Sequence, residues 1–173
     1  MRNIDVKAVI RDFARTIAKA RELSETPEVK IEQHDTFFKA KDGRLKLRKF
    51  KVGDGAAELI LYKRPDVFGP KLSTYDKVEL NADIVESITN ILSQAMGVLG
   101  IVKKTRLLYI VGQTRIHIDN VDRLGDFIEL EVVLKEDQDV EEARDIAENL
   151  MQKLFIKEDD LVANAYVDIL NSK

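Results

Sequence analysis

The stretch Gln113–Val133, with the sequence QTRIHIDNVDRLGDFIELEVV, constrains the fold more than any other part of the chain. Polar and apolar residues alternate along it in two runs separated by a short loop, which predicts two antiparallel strands. One face of the first strand carries Gln113, Arg115, His117 and Asp119. The corresponding face of the second strand carries Phe127, Glu129 and Glu131. Two carboxylates two residues apart on one strand face repel each other, so this pair needs a compensating partner.

Length and composition set the frame for the rest. The chain has 173 residues, of which 45% are hydrophobic and 34% charged, enough for one well-buried core, so we expect a single domain over residues 1–173. No window approaches 18 uninterrupted apolar residues, and the N-terminus lacks the pattern of a secretory signal. The sequence therefore predicts a cytoplasmic protein that does not bind membranes.

Charge and residue types limit the partners. A net charge of −3 argues against a surface that coats nucleic acid. Because the chain has no cysteine and two histidines, a zinc site is not expected, and any metal should be a hard ion held by carboxylates, Mg²⁺ or Mn²⁺. We expect a monomer or homodimer.

Alternation and turn signals divide the remaining chain into further strands and helices. The predicted strands, besides the two in the opening stretch, are Arg2–Ile10, Val29–Ala40, Arg44–Lys51, Ala57–Arg64, Ser73–Leu80 and Ile101–Val111. The predicted helices are Phe13–Leu23, capped by Asp12; Ile84–Met96, capped by Asp83 with Ile84, Ile88, Ile91, Leu92 and Ala95 buried; Val140–Phe155; and a short one within Leu161–Leu170.

About eight strands with one apolar and one charged face can form an open sheet or close into a barrel. We predict an α+β fold built on an eight-stranded antiparallel β-barrel, with helices covering the apolar outside and charged side chains facing a watery lumen. Arg44, Lys46 and Arg48 share one strand face and repel one another unless an anion lies opposite. Such a lining tolerates burial only with opposite charges, water, a metal or a polyanion.

Several motifs along the chain resemble one family. Asn3-Ile4-Asp5-Val6-Lys7 resembles the N-terminal ExExK signature of the CYTH superfamily, the triphosphate tunnel metalloenzymes, and the resemblance is closest to the branch of class IV adenylyl cyclases and thiamine triphosphatases. The later blocks that agree are GRLKLR at 43–48, ELILYKRPD at 58–66, GPKLSTY at 69–75, KKTRLLY at 103–109 and TRIHIDNVDRLGDFIELE at 114–131. Their order and strand placement carry the resemblance, which spans nearly the whole chain.

The resemblance implies a tunnel in which basic side chains hold a triphosphate and carboxylates hold one or two divalent cations. By position, the phosphate-binding residues are Lys46, Arg48, Arg106 and Arg115, with Lys63 or Arg64 from the fourth strand. The metal ligands are Asp5, Glu129 and Glu131, with Asp119 at a further acidic position, and Tyr166 matches a position near the tunnel mouth. Lys7 matches the signature lysine and is the candidate for orienting or deprotonating a nucleophile.

The N-terminal signature departs from the family pattern at both acidic positions. Asn3 replaces the first glutamate and Asp5 is shorter than the second. Because an amide oxygen can ligate a cation without adding charge, we expect weaker metal binding, or one ion instead of two.

Three classes of function fit this sequence. The first is a metal-dependent phosphohydrolase acting on an inorganic or organic triphosphate. The second is an adenylyl cyclase that converts ATP to cyclic AMP and pyrophosphate, and the third is a non-catalytic binder of polyphosphate or nucleotide.

The candidate histidine and two tyrosines also have an ordinary structural interpretation. His117 has no partner histidine, so the sequence favours a hydrogen-bonded strand residue over a ligand or base. Tyr62 and Tyr166 are more typical of packing than of substrate contact.

Overall fold

The computed structural model describes all residues, Met1–Lys173. The strands are β1 (Arg2–Val9), β2 (Val29–Phe38), β3 (Arg44–Phe50), β4 (Ala57–Lys63), β5 (Lys71–Leu80), β6 (Val98–Val111), β7 (Thr114–Val121) and β8 (Gly125–Val133). The α-helices are α1 (Phe13–Leu23), α2 (Ala82–Met96), α3 (Val140–Lys153) and α4 (Tyr166–Asn171), and Glu158–Asp160 forms a 3₁₀ turn. None of these helices has the length and apolar character needed to cross a membrane.

The eight strands form a closed antiparallel barrel in the order β1-β5-β4-β3-β2-β6-β7-β8, as predicted. In this order β8 lies across the barrel from β3, and β1 lies across from β2. Closure leaves no sheet edge. Because successive side chains alternate between the two faces, each strand contributes one set to the interior and one to the outside.

The apolar outer face of one half of the barrel is covered by two helices. Side chains such as Ile4, Ile116 and Leu130 from β1, β7 and β8 pack against Ile17 of α1 and Leu150 of α3 in one buried cluster. This arrangement turns the greasy side of the strands outward, as the alternation predicts. Burial of this aliphatic surface, at about 25 cal/mol per Å², stabilises the barrel.

The other half of the barrel is covered by α2, whose predicted face was only partly correct: Ile88 and Leu92 pack against the barrel, but Ile84, Ile91 and Ala95 do not. Ile84 and Ile91 are exposed, at 40% and 63%, whereas Val85 is buried against Phe38 and Leu47. The helix is apolar on more than one side, so its sequence does not determine its rotation. The contacts with the barrel select the face that carries Val85, Ile88, Leu92 and Met96.

The predicted caps differ in outcome. Asp12 caps α1 by accepting a 3.1 Å hydrogen bond from the amide of Arg15, as expected. The cap of α2 is Asn81, without a side-chain hydrogen bond, and Asp83 lies inside the first turn. The expectation for Asp83 was therefore wrong by two positions, although its charge still favours the helix N-terminus.

The β2–β3 hairpin turns at Gly43, within the predicted turn. Its φ of +72° lies in the left-handed region, and a Cβ there would come within 2.8 Å of the carbonyl oxygen of Tyr62. Only glycine avoids both the strain and the clash. This turn sets the register that places Lys46 opposite Phe37 and Arg48 opposite Asp35.

The C-terminal segment closes one end of the barrel. Tyr166 and Val167 pack with Phe37, Val102 and Phe127 in a buried cluster at that end, and the rings of Phe127 and Tyr166 meet edge to face at 5.1 Å. The interior is therefore sealed at this end and open at the other.

Candidate functional site

The barrel encloses a cavity of about 270 Å³ whose lining is strongly charged. Its cationic residues are Lys7, Lys46, Arg48, Arg64, Lys77, Lys104, Arg106 and Arg115. Its carboxylates are Asp5, Asp35, Glu58, Glu129 and Glu131. Cations outnumber carboxylates eight to five, so the cavity has a positive excess even with every carboxylate ionised. A polyanion is the ligand that such an excess favours.

A buried aspartate of β2, Asp35, forms ion pairs with cationic side chains of the neighbouring strands β3 and β6. Arg48 donates hydrogen bonds of 2.8 Å from Nε and Nη2 to the two oxygens of Asp35. Lys46 Nζ and Lys104 Nζ lie 3.6 and 3.7 Å from Asp35 Oδ2. This is the anion that the cationic face of β3 requires. Since three cations share one carboxylate, they retain capacity for further acceptor oxygens.

The ionisation of this cluster follows from burial and its charges. Burial alone would raise the pKa of Asp35, but Arg48, Lys46 and Lys104 outweigh it and hold the pKa well below its usual value. Burial, followed by repulsion from Arg48, lowers the pKa of Lys46 to about 7. Near neutral pH, Lys46 is therefore poised to gain a proton when a polyanion arrives.

Arg106 of β6 binds carboxylates of the next two strands, β7 and β8, near the closed end of the cavity. Its Nε and Nη2 each donate a 2.7 Å hydrogen bond to Asp119, and Nη2 also donates a 3.0 Å bond to Glu129. Asp119 accepts a further bond of 2.9 Å from the hydroxyl of Tyr166. Asp119 is fully buried and absent from the cavity lining. It therefore positions Arg106 and Tyr166 and does not reach the Glu129–Glu131 pair.

Lys7 lies at the closed end between the barrel and the C-terminal segment. Its Nζ is 3.3 Å from Glu129 Oε1, donates a 3.2 Å hydrogen bond to the carbonyl of Asn164, and lies 3.7 Å from the centre of the Tyr166 ring. Burial is the main reason that the pKa of Lys7 falls to about 8. An amine with this pKa exchanges protons near physiological pH.

The carboxylates of β8 face the cationic cluster from across the barrel. Strand pairing places Glu131 between Asp5 of β1 and Arg115 of β7, and Arg115 Nε lies 3.3 Å from Glu131 Oε2. Burial, then the charge of Glu131, raises the pKa of Asp5 to about 7. These acidic groups repel each other and would be stabilised by a cation between them.

The chemistry of the donors on β1, β7 and β8 fits a divalent ion. Donor atoms of His117, Glu129 and Glu131 lie within 4.8 Å of one another. Oδ1 of Asn3 and Oδ1 of Asp5 are buried without a hydrogen-bond partner. Burial, followed by the charge of Arg106, lowers the pKa of His117 to about 3, so its ring is neutral. Carboxylate, amide and neutral imidazole donors are the groups that bind divalent metals.

The cavity lining becomes apolar on one side of the open end. Ile31, Phe50 and Leu108, on β2, β3 and β6, line the cavity beyond the Asp35 cluster. Lys77 and Glu58 lie on the other strands of this end and form a 3.2 Å ion pair. A ligand held by its phosphates in the interior can therefore pack an organic group against the apolar side.

The structure brings together most of the residues predicted from the sequence. Those in the cavity lining are Asp5, Lys7, Lys46, Arg48, Arg64, Arg106, Arg115, Glu129 and Glu131. Lys63 and Asp119 are not in it. Lys63 is exposed and pairs with Asp42, so the cation that β4 contributes is Arg64, as strict alternation requires.

Sequence reasoning missed the residues that complete the cationic side. Asp35 and Lys104 line the cavity, but neither was predicted as a site residue. Two signals were available: strict alternation along 29–38 puts Gln33, Asp35 and Phe37 on one face, and three neighbouring cations require an anion. Which anion serves depends on the cross-strand register, which the sequence does not show.

The closed barrel, its sealed end and its lining of opposed charges define a class of β-barrel proteins with an enclosed, charged cavity. The chain belongs to the CYTH domain family, whose model matches residues 1–166. A search of curated proteins found no match.

Solved structures share this fold at low sequence identity. The PH1012 protein from Pyrococcus horikoshii OT3 is 22% identical with a TM-score of 0.80, over 96% of this chain and 98% of that chain. A proposed adenylate cyclase from Vibrio parahaemolyticus is 16% identical with a TM-score of 0.75, over 98% and 97%. The proposed adenylyl cyclase HpAC1 from Hippeastrum, described as having a dominant triphosphatase activity, is 16% identical with a TM-score of 0.66, over 98% and 95%.

Proposed function

We propose that this protein is a metal-dependent phosphohydrolase that acts on a triphosphate bound inside its barrel. The observation that carries the proposal is a facing arrangement: Lys46 and Arg48 on β3 lie across the cavity from Glu129 and Glu131 on β8, and Lys104 and Arg106 on β6 line the wall between them. Cations and a candidate metal site on opposite walls can hold one polyphosphate chain from both sides. Membership of the CYTH family and the activity described for HpAC1 support the same class.

The basic residues account for binding and for transition-state stabilisation. Arg48 and Arg106 present guanidinium groups that Asp35 and Asp119 hold in fixed orientations. Pre-oriented donors stabilise charge that develops on phosphate oxygens without reorganising during the reaction. Arg64 and Arg115 add charge from β4 and β7 around the same cavity.

Asp5, Glu129 and Glu131 would hold Mg²⁺ or Mn²⁺, with Asn3 supplying a neutral oxygen. An ion bound there would withdraw electron density from the phosphate oxygens and lower the pKa of a bound water. Lys7 lies beside Glu129 with a pKa of about 8, so it can orient a water molecule or accept its proton. The proton would then rest on Nζ of Lys7.

One observation favours a second candidate, an adenylyl cyclase. Ile31, Phe50 and Leu108 form an apolar side of the open end that can contact a nucleobase. A cyclase differs in its nucleophile, because the ribose hydroxyl attacks the innermost phosphorus and pyrophosphate leaves. The third possibility is binding without turnover. It is favoured by Asn3, which adds no negative charge, and by Asp5, which is shorter than glutamate.

One assay separates these functions. The purified protein is incubated with Mg²⁺ or Mn²⁺ and, in turn, tripolyphosphate, thiamine triphosphate and ATP, and phosphate, pyrophosphate and cyclic AMP are measured. The proposal predicts release of phosphate. Cyclic AMP together with pyrophosphate would instead identify a cyclase, and tight binding without any product would identify a binder. Arg106→Met is the control for a contaminating activity, because a reaction inside the barrel should lose most of its turnover in this variant.

A further inference from the structure

The histidine of β7 is placed unlike a structural histidine. His117 is only 5% exposed, and its Nδ1 has no hydrogen-bond partner. A buried polar nitrogen without a partner is unfavourable. The hydrogen-bonded role that the sequence favours is therefore not what the structure shows at Nδ1.

The strand register explains which groups surround this nitrogen. His117 pairs with Glu129 across β7–β8, and Glu131 lies two residues further along the same face of β8. Nδ1 is 4.0 Å from Glu129 Oε2, which is too long for a hydrogen bond. Two ligands that each lie about 2.1 Å from one ion can be this far apart. The gap is therefore short enough for one ion to bind both atoms, with the two bonds pointing in roughly opposite directions.

A second and independent observation comes from β1, on the other side of β8. Asn3 is 4% exposed, lines the cavity, and its Oδ1 has no hydrogen-bond partner. Buried polar atoms of native proteins are nearly always paired. Unpaired polar atoms therefore lie on both strands that flank β8, with Asn3 opposite Val133, two residues beyond Glu131.

We propose that His117 is a direct nitrogen ligand of the divalent ion at Glu129 and Glu131, and that the site prefers a first-row transition ion such as Mn²⁺ or Co²⁺ to Mg²⁺. The inference rests on the proposed function only in that both use the same carboxylate pair. It differs from the sequence interpretation of His117 as a hydrogen-bonded strand residue.

The selectivity follows from the donor set. Mg²⁺ binds oxygen donors and keeps several waters in a strict octahedral shell. Imidazole nitrogen is a softer donor that favours the later first-row ions, whose affinity for a given site rises along the series from Mn²⁺. Replacing an acidic ligand by Asn3 also removes charge that a hard ion would use. The site should therefore bind Mg²⁺ more weakly than it binds divalent ions that readily take a nitrogen ligand.

The direct test uses the protein with Mn²⁺ alone and no phosphate ligand. Pulsed electron paramagnetic resonance detects a directly bound ¹⁴N nucleus on Mn²⁺. We expect this coupling in the wild-type protein, its loss in His117→Asn, and its retention in His34→Asn. His34 is the only other histidine of the chain and is absent from the cavity lining, so it is the matched control. Thermal melting of both metal-free variants checks that each is folded.

A calorimetric titration with Co²⁺ and Mg²⁺ tests the preference. Co²⁺ should bind wild type at least about tenfold more tightly than Mg²⁺. His117→Asn should lower Co²⁺ affinity by about tenfold or more and change Mg²⁺ affinity by less than about threefold.

Three results would overturn the inference: no binding of Mn²⁺, bound Mn²⁺ without nitrogen coupling, or equal affinities for Co²⁺ and Mg²⁺. Its failure is distinct from that of the proposed function. Hydrolysis of tripolyphosphate without nitrogen coupling would leave the function standing and remove the role of His117. Nitrogen coupling without hydrolysis of any triphosphate would do the reverse.

Discussion

Arg48 and Asp35 form a buried bidentate ion pair, with both hydrogen bonds at 2.8 Å. The pair joins β3 to β2 at directly opposite positions of the ladder. Asp35 also neutralises two lysines, so one carboxylate stabilises three cations that a phosphate ligand would otherwise have to compensate. The site can therefore stay charged and folded without its ligand.

Removing this carboxylate should destabilise the protein and make it depend on ligand. We expect Asp35→Asn to lower the free energy of unfolding by about 3–5 kcal/mol, because it leaves buried cations unpaired. Added tripolyphosphate should raise the melting temperature of the variant more than that of wild type, since it replaces the lost anion. The measurement is thermal unfolding with and without tripolyphosphate.

The control for Asp35→Asn is Asp42→Asn, which removes an exposed partner of Lys63. An exposed ion pair contributes about 1 kcal/mol at most. Equal melting temperatures for the two variants would show that the Asp35 cluster is not an important electrostatic element.

Lys63, the last residue of β4, and Arg64, which follows it, should differ sharply in phosphate binding. Arg64→Met should weaken the binding of tripolyphosphate by about tenfold or more, because Arg64 lines the cavity. Lys63→Met should change it by less than about threefold, because Lys63 faces outward and pairs with Asp42. Isothermal titration calorimetry of both variants gives the comparison. A larger effect at Lys63 than at Arg64 would contradict the inward orientation of Arg64.

Binding of a polyanion should be linked to proton uptake at Lys46. Its pKa of about 7 in the free protein leaves Lys46 mostly neutral at pH 8, and a bound phosphate favours the charged form. Protons are therefore taken up on binding, and affinity falls as the pH rises above about 7. Calorimetry at pH 8 in buffers of different ionisation enthalpy measures the uptake.

Lys46→Arg is the control for this linkage, because arginine stays charged at every pH used. Subtracting its proton uptake from that of wild type also cancels protons released by the triphosphate itself. The difference should be an uptake of up to one proton at pH 8. No difference between the two proteins would show that Lys46 is already charged when the cavity is free.

Lys7 should matter for turnover more than for binding. Lys7→Met should lower kcat by about 100-fold with a smaller effect on KM, if Nζ orients or deprotonates the nucleophile. Lys7→Arg separates the two roles: it restores a positive charge but offers no neutral base. Recovery in the arginine variant would assign Lys7 an electrostatic role, and full turnover in Lys7→Met would remove it from the reaction.

Much of this fold could be predicted because strand alternation carries it. The pattern of Glu58, Ile60, Tyr62 and Arg64 against Leu59 and Leu61 fixes which side chains face inward, and the structure agrees. The face of α2 could not be predicted, since a helix apolar on several sides is rotated by its contacts. The prediction for Ile84 and Ile91 failed for that reason.

The parts of the site that escaped prediction depend on pairing between strands. Asp35 meets Arg48, and His117 meets Glu129, only through the register of two ladders. A single sequence specifies the face of each residue but not its partner across the strand. Asp119 shows the same limit: it shares the inward face with His117, yet Arg106 and Tyr166 use its oxygens.

The central claim is that the barrel interior holds the triphosphate. A crystal structure of the protein with Mn²⁺ and a non-hydrolysable triphosphate analogue tests it most directly. We expect the phosphate chain inside the barrel, with oxygens within hydrogen-bond distance of Arg48 and Arg106, and anomalous density for Mn²⁺ beside Glu129 and Glu131. Phosphates bound only on the outer surface, with the Arg48–Asp35 pair unchanged, would contradict the account.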